Sequence, residues 1–196
     1  MGQSMAAAVL VAVAGQAGSG KSRLAARIVE RLGARRIDVS ADLSPYPDGV
    51  LYAEAITGAR SGLAAGSSIV LVGPFHTREA RRGLLRLASE TRSALLYVEC
   101  SANESVRARR IRKRAMSEPD ALTAAEAALW VARLIAEDAK FERTGSEIPR
   151  AAQMLVETTV GIDIWGGLAA SRVEAWIAGA IPLALEDQTL AAAEAR

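Results

Sequence analysis

The stretch GQAGSGKS, residues 15–22, decides the fold of this chain. It follows the short apolar run AVLVAVA and precedes KSRLAARIVERLG, in which apolar residues recur at helical spacing. The pattern G-x-x-x-x-G-K-[ST] is typical of a loop that binds phosphate between a strand and a helix, and this chain offers both flanking elements. All four fixed positions of that pattern are filled, by Gly15, Gly20, Lys21 and Ser22.

The residue types in this loop suit a nucleotide. Glycines let backbone N–H groups approach phosphate oxygens closely, and the N-terminus of the following helix adds partial positive charge. Lys21 can reach the β- and γ-phosphates, and the hydroxyl of Ser22 can bind Mg²⁺. We expect ATP rather than GTP, because the single asparagine, Asn103, is followed by ESV and forms no N-K-x-D motif for reading guanine. The expected nucleotide-binding residues are Gly15, Gln16, Ala17, Gly18, Ser19, Gly20, Lys21 and Ser22, with Ser22 as the metal ligand.

The composition indicates one globular domain and argues against nucleic-acid and membrane partners. The chain has 196 residues, 51% of them apolar and 23% charged, with a net charge of +2, so a nucleic-acid partner is not expected. The single cysteine, Cys100, excludes a disulfide framework and predicts a reduced, cytoplasmic location. The first apolar run is too short to span a bilayer and no basic residue precedes it, so no membrane partner is expected. The oligomeric state stays open.

Five short apolar runs read as strands buried on both faces, and helical patterns separate them. This alternation predicts an α/β sandwich with a mainly parallel sheet. Residues 1–180 are expected to form a single domain and residues 181–196 a C-terminal tail. The partly polar run ARRIDV is expected near a sheet edge. The predicted strands are residues 7–14, 34–39, 67–73, 93–100 and 152–158.

Four stretches give the chain a family resemblance over roughly residues 7–160. They are GQAGSGKSRLAARIVERLGARRI, DVSADL, SIVLVGPFHTREAR and SVRARRIRKRAMSEPDA. With them the chain resembles the P-loop small-molecule kinase group of shikimate, gluconate and nucleoside-monophosphate kinases, and is similar to the small bacterial AAA family ATPase or zeta-toxin-like proteins. The resemblance implies a three-layer P-loop NTPase sandwich with a five-stranded parallel sheet in the order 2-3-1-4-5.

The resemblance also implies roles for individual residues. An acid after the second strand would take a proton from the acceptor hydroxyl; Asp42 fits that place best and Asp38 is the alternative. A lid at about residues 110–122 would bring Arg110 and Arg114 over the phosphates, although part of this basic helix must be a solvated face. Arg78 fits the early arginine of the helix after the third strand.

One departure from the family concerns the third strand. Many relatives end it with a Walker B aspartate, whereas this chain has LVGPF. The leading expectation is still an ATP-dependent phosphotransferase for a small hydroxyl- or phosphate-bearing acceptor, with ATP and Mg²⁺ as cofactors and with Lys21, Asp42, Arg110 and Arg114 as catalytic residues. The alternatives are a nucleotide-binding regulatory or accessory protein with little turnover, and a zeta-toxin-like kinase of nucleotide sugars.

Overall fold

Five parallel strands form one sheet in the order β2-β3-β1-β4-β5, which confirms the predicted fold. The structure, a computed structural model, describes residues 8–39, 48–117, 123–137, 142, 144, 147–159 and 166–179. The predicted strands lie within two residues of the observed bounds, and ARRIDV contributes the edge strand β2. The strands are β1 Val9–Gly15, β2 Arg35–Asp38, β3 Ile69–Val72, β4 Ala94–Ser101 and β5 Gln153–Glu157.

Helices cover both faces of the sheet. None of the helices in the described part of the chain combines the length and the apolar content needed to cross a membrane. A short 3₁₀ turn, Arg150–Ala152, leads into β5. The α-helices are α1 Lys21–Leu32, α2 Asp48–Ala64, α3 Arg78–Thr91, α4 Glu104–Ala115, α5 Ala124–Glu137 and α6, residues 166–179.

The central strand β1 divides the core into two layers. Every residue of β1 is buried, and because successive side chains of a strand point to opposite faces, they enter two separate clusters. Val9, Val11 and Val13 pack with residues of α1 and α6. Leu10 and Ala12 pack with residues of α2 and α3 on the other face. The three-layer arrangement therefore follows from the unbroken apolar character of β1.

Helices α4 and α5 begin at side chains that cap them, whereas α1, which begins at the phosphate-binding loop, has no such cap. Asn103 caps α4 by accepting a hydrogen bond from the Val106 N–H, and Thr123 and Glu126 form the capping box that precedes α5. At α1 the N-cap residue is Gly20, which has no side chain to satisfy the first N–H groups. The N-terminus of α1 is thus left for a ligand to cap.

The strand order places a ligand cleft beside the end of β1. The connection from β1 leads to one side of the sheet and the connection from β3 leads to the other, so the loop after β1 lies at the switch point where open α/β sheets bind ligands. The carboxyl ends of β2 and β3 are in register through Asp38 and Val72. Asp38 therefore lies at the same edge as the phosphate-binding loop.

Candidate active site

The loop of residues 15–22 is held tightly against the sheet. A Cβ atom at Gly15 would lie 2.2 Å from the Cys100 carbonyl oxygen, so only glycine fits there. Within the loop, the Ser19 N–H donates to the Gln16 carbonyl over 3.1 Å. The Lys21 ammonium donates to the same carbonyl over 2.9 Å, which places the lysine side chain back across the loop.

The donor set around this loop fits a phosphate chain. Gly20, Lys21 and Ser22 line one cleft at the N-terminus of α1, a helix of 12 residues without an acidic residue in its first turn. A helix end of this kind carries partial positive charge and unpaired N–H groups, and both favour an anion. Ser22 lines this cleft, and its role as a Mg²⁺ ligand stays a prediction. Among the described residues no three His, Cys, Asp or Glu side chains form a metal-binding group.

The cleft is strongly basic. Its volume is about 650 Å³, which suits a small ligand, and it lies between the loop, the ends of β2 and β3, and helices α4 and α5. Of its described lining residues only Asp38 is acidic, so the cleft favours an anionic ligand. Ile111, Trp130 and Leu134 offer apolar contact. The basic lining residues are Lys21, Arg23, Arg36, Arg110, Lys113 and Arg114.

The acid at the end of β2 is oriented by an arginine two residues earlier on the same strand. Arg36 donates to both carboxylate oxygens of Asp38, from Nε over 2.7 Å and from Nη2 over 2.6 Å. Its Nη1 also donates to the Ser22 carbonyl over 3.2 Å, which ties the pair to the first turn of α1. Asp42, the preferred catalytic acid of the sequence analysis, lies outside the described residues.

Arg110 of α4 lies beside the loop. Its Nη1 donates to the carbonyl oxygen of Gly18 over 3.2 Å, and its Nη2 donates to the Thr158 carbonyl over 2.6 Å. Burial lowers the pKa of this guanidinium, and the positive charges of Arg23 and Arg109 lower it further. Arg114, one turn further along α4, lines the same cleft. The catalytic roles of Arg110 and Arg114 stay predictions.

Directly after β3, where many relatives carry a Walker B acid, a side chain at Gly73 would be tightly packed. A Cβ at Gly73 would lie 3.0 Å from the Val39 Cβ and 3.2 Å from the ring of Phe75. Phe75 adopts a left-handed φ of 41° and is fully buried. The Tyr52 hydroxyl accepts a hydrogen bond from its N–H over 2.9 Å, and Arg81 donates to its carbonyl over 3.2 Å. Phe75, two residues after the cleft-lining Gly73, thus has a strained backbone conformation that hydrogen bonds with Tyr52 and Arg81 maintain.

Arg81 is a buried arginine of α3, whereas the role that the resemblance implies for Arg78 stays a prediction. Arg81 is 1% exposed and pairs with Glu147 over 2.5 Å. It also donates to the Glu142 carbonyl over 2.9 Å, so it joins the segment before β5 to the turn after β3. Neither Arg78 nor His76 is among the described residues that line the cleft. Arg81 could not be singled out from sequence, because it is one of several arginines in a charged helix.

Two further residues near the loop were also missed by the sequence analysis. Arg107 of α4 is 5% exposed and its Nη1 donates to the Ala17 carbonyl over 3.4 Å. Thr158, which follows β5, is fully buried, and its hydroxyl lies 2.6 Å from the Ser19 carbonyl oxygen. Only the folded arrangement brings these residues to the loop, since Thr158 is 139 positions away from Ser19 in sequence.

Cys100 is a small buried residue of the core. It is 2% exposed and belongs to the core cluster under α1. Burial raises the pKa of its thiol to about 12, and the nearby Lys21 cation opposes that rise only in part. A protonated, enclosed thiol is a poor nucleophile, so Cys100 is a packing residue.

The sheet order and the loop after β1 define the chain as a P-loop α/β protein. Residues 10–135 match the AAA domain family AAA_33, and the chain belongs to that family. It is 34% identical over 142 residues to the uncharacterized proteins Rv2004c of Mycobacterium tuberculosis and Mb2027c of Mycobacterium bovis. These matches cover 61% of this chain and 28% of each relative, so the chain spans little more than a quarter of the length of those curated relatives.

Several solved structures share this fold. A sugar kinase from a Janibacter species has a TM-score of 0.60 at 16% identity, covering 89% of this chain and 98% of its own. A gluconokinase from Sinorhizobium meliloti has a TM-score of 0.54 at 17% identity, covering 86% and 94%. Kti12 from Chaetomium thermophilum, solved with ADP-AlF3, has a TM-score of 0.62 at 14% identity, covering 86% and 98%. The fold that the resemblance implied, a P-loop NTPase sandwich, is confirmed.

Proposed function

We propose that this protein is a kinase that transfers the γ-phosphoryl group of ATP to a small acceptor bearing a hydroxyl or phosphate group. The observation that carries the proposal is that one cleft contains both the phosphate-binding loop and, at the end of β2, the carboxylate of Asp38. The cleft could thus bind the phosphoryl donor next to a carboxylate that takes the proton of the acceptor hydroxyl. The basic lining favours an anionic acceptor, and the cleft volume of about 650 Å³ suits a small molecule rather than a nucleic acid.

In this proposal the loop and the lid arginines neutralise phosphate charge. The N–H groups at the start of α1 and the Lys21 ammonium would bind the β- and γ-phosphates. Arg114 and Arg110 would approach from α4 and stabilise negative charge as the phosphoryl group moves. Mg²⁺, which Ser22 would help to hold, supplies further charge neutralisation when it is bound.

A carboxylate would serve the acceptor. As the acceptor oxygen bonds to the γ-phosphorus, the bond from that phosphorus to the ADP oxygen breaks and the hydroxyl proton passes to the carboxylate. Asp38 is the described candidate, and Arg36 orients it through two hydrogen bonds. Asp42 stays the other candidate, four residues further along the chain.

The test is transfer of ³²P from γ-labelled ATP to a panel of acceptors. The panel contains gluconate and other sugar acids, sugars, shikimate, nucleoside monophosphates and nucleotide sugars. We expect a labelled product with at least one acceptor, and Lys21→Ala should reduce transfer by about 100-fold or more. Asp38→Asn and Asp42→Asn identify the base, because the correct substitution should cost about 100-fold or more. Glu54→Gln, at an exposed acid of α2, is the matched control and should leave the rate unchanged.

A second candidate is an ATP-binding accessory protein with little turnover. The specific observation in its favour is that β3 ends at Val72 and is followed by Gly73 and Pro74, without an acidic residue. Tight binding of MgATP without transfer to any member of the panel, and without release of phosphate, would favour this candidate over a kinase.

A further inference from the structure

Thr158 links three parts of the site through one side chain. Its hydroxyl lies 2.6 Å from the Ser19 carbonyl oxygen and accepts a hydrogen bond from Arg110 Nη1 over 3.1 Å. Its backbone N–H donates to the Ser101 carbonyl over 2.8 Å, which continues the pairing of β5 with β4. Thr158 is therefore fixed to the sheet while its hydroxyl faces the loop and α4.

The direction of the hydroxyl proton follows from the distances. A hydroxyl has one proton to donate, and two carbonyl oxygens are near: Ser19 at 2.6 Å and Ser101 at 3.0 Å. The Ser101 carbonyl already accepts from the Thr158 N–H, and Arg110 fills a lone pair of the hydroxyl. We therefore infer that the Thr158 hydroxyl donates its proton to the Ser19 carbonyl, the nearer of the two acceptors.

This bond sets the direction of an N–H group in the loop. In a planar trans peptide the carbonyl oxygen and the following N–H point to opposite sides. The Ser19 carbonyl points towards the fully buried Thr158, so the N–H of Gly20 must point the other way. Gly20 lines the cleft, where the N–H groups of a P-loop bind phosphate.

We propose that Thr158 is a positioning residue that aims the Gly20 N–H at the nucleotide phosphates by holding the Ser19 carbonyl, and that keeps Arg110 beside the loop. The proposal rests on the proposed function only in that the loop binds a nucleotide. Thr158 does not itself touch the nucleotide. Loss of the Thr158 hydroxyl acts through the loop. It should therefore weaken the binding of every nucleotide that places a phosphate in the loop, whether or not phosphoryl transfer follows.

The experiment compares nucleotide affinity and stability in three variants. MgADP and MgATP are titrated by calorimetry into wild type, Thr158→Val and Thr158→Ser, and unfolding is followed separately with denaturant. Thr158→Val keeps the shape but loses the hydroxyl and leaves the Ser19 carbonyl unsatisfied, so we expect both affinities to fall about 10-fold. Thr158→Ser keeps the hydroxyl and should stay within about 2-fold of wild type on the same reasoning.

A matched control separates positioning from stability. Thr91 at the end of α3 donates its hydroxyl to the Leu87 carbonyl over 2.8 Å and is not among the residues that line the cleft. Thr91→Val should lower stability without changing either affinity. If Thr158→Val does not fold, Thr158→Cys provides a weaker donor in the same place and should bind both nucleotides more weakly than wild type.

The possible results separate the two proposals. Wild-type affinity in Thr158→Val, or equal weakening in the Val and Ser variants, would overturn the positioning role, because neither fits a function of the hydroxyl. If Thr158→Cys is the variant measured, wild-type affinity there would overturn it as well. Failure of the wild type to bind either nucleotide would instead overturn the proposed function.

Discussion

Replacing Gly18 by alanine tests how closely helix α4 is packed on the phosphate-binding loop. Gly18 has a left-handed φ of +73°, and a Cβ there would lie 2.8 Å from the Arg107 carbonyl oxygen and 3.0 Å from the Arg107 Cα. These are backbone atoms of α4, so no side-chain rotation can relieve the contact. Either α4 or the loop must move.

The cost has two parts. A left-handed conformation costs an alanine about 1–2 kcal/mol relative to glycine. Overpacking against a fixed neighbour adds about 1–3 kcal/mol. The sum, about 2–5 kcal/mol, is large beside a typical stability of about 5–15 kcal/mol for a whole domain. If the chain stays folded, displacement of the loop should lower the affinity for MgADP by about 30-fold or more, since about 1.4 kcal/mol corresponds to a factor of ten.

Gly33→Ala is the matched control. Gly33 also has a left-handed φ, of +58°, but nothing lies within 4 Å of a Cβ built there. This variant should therefore lose only the conformational part, about 1–2 kcal/mol, and should bind MgADP like wild type. Denaturant unfolding gives the stabilities and calorimetry gives the dissociation constants. The reasoning fails if Gly18→Ala costs no more stability than Gly33→Ala and binds MgADP within about 2-fold of wild type.

Three further predictions concern the buried charge, the thiol and the oriented acid. Glu147→Ala removes the carboxylate that pairs with the Nε of the buried Arg81, while the Glu142 carboxylate stays 4.0 Å from its Nη2. The change should lower the free energy of unfolding by about 3 kcal/mol or more, and Glu147→Gln should cost less. Equal losses for the two variants in denaturant titration would contradict this. Burial raises the pKa of the Cys100 thiol from 9.0 to about 12. Above pH 9 the thiol therefore ionises in the unfolded state while it stays protonated in the folded state. Its contribution to the free energy of unfolding is constant below pH 9 and falls by about 1.4 kcal/mol per pH unit above it. Cys100→Ala should remove that fall between pH 9 and 10, and an unchanged slope would refute the assignment. Arg36→Lys loses the two hydrogen bonds that Arg36 donates to the half-exposed Asp38. The change should cost less than about 1 kcal/mol of stability and should slow phosphoryl transfer. An unchanged transfer rate would mean that Asp38 needs no orientation by Arg36.

The sequence predicted the features that depend on local pattern. The phosphate-binding loop was recognisable because its residue types and spacing are required by contacts within one short segment. The strands were recognisable because a parallel strand covered on both faces reads as an apolar run, and β1 is buried throughout. Asn103 and Thr123 cap helices, and such caps can be recognised from sequence because a cap acts on N–H groups two or three residues away.

The remaining features depend on contacts between distant segments. The motif leaves the residue at position 18 open, and glycine is required there only because α4 packs on the loop at Arg107. Thr158 and Arg81 are ordinary residues in sequence, and their partners lie 139 and 66 positions away. The basic run of α4 could not be divided by sequence into solvated arginines and arginines that contact the loop. The fold makes that division by placing Arg107 and Arg110 on the face towards the loop.

Calorimetric titration of MgATP into wild type and Lys21→Ala shows whether the phosphate-binding loop holds a nucleotide. We expect wild type to bind MgATP with a dissociation constant in the micromolar range, corresponding to about −8 kcal/mol, and Lys21→Ala to lose most of that affinity. The control without Mg²⁺ should bind more weakly, and GTP should bind more weakly than ATP. No heat of binding from wild type at concentrations up to about 1 mM MgATP would contradict the account, because the loop would then hold no nucleotide for transfer.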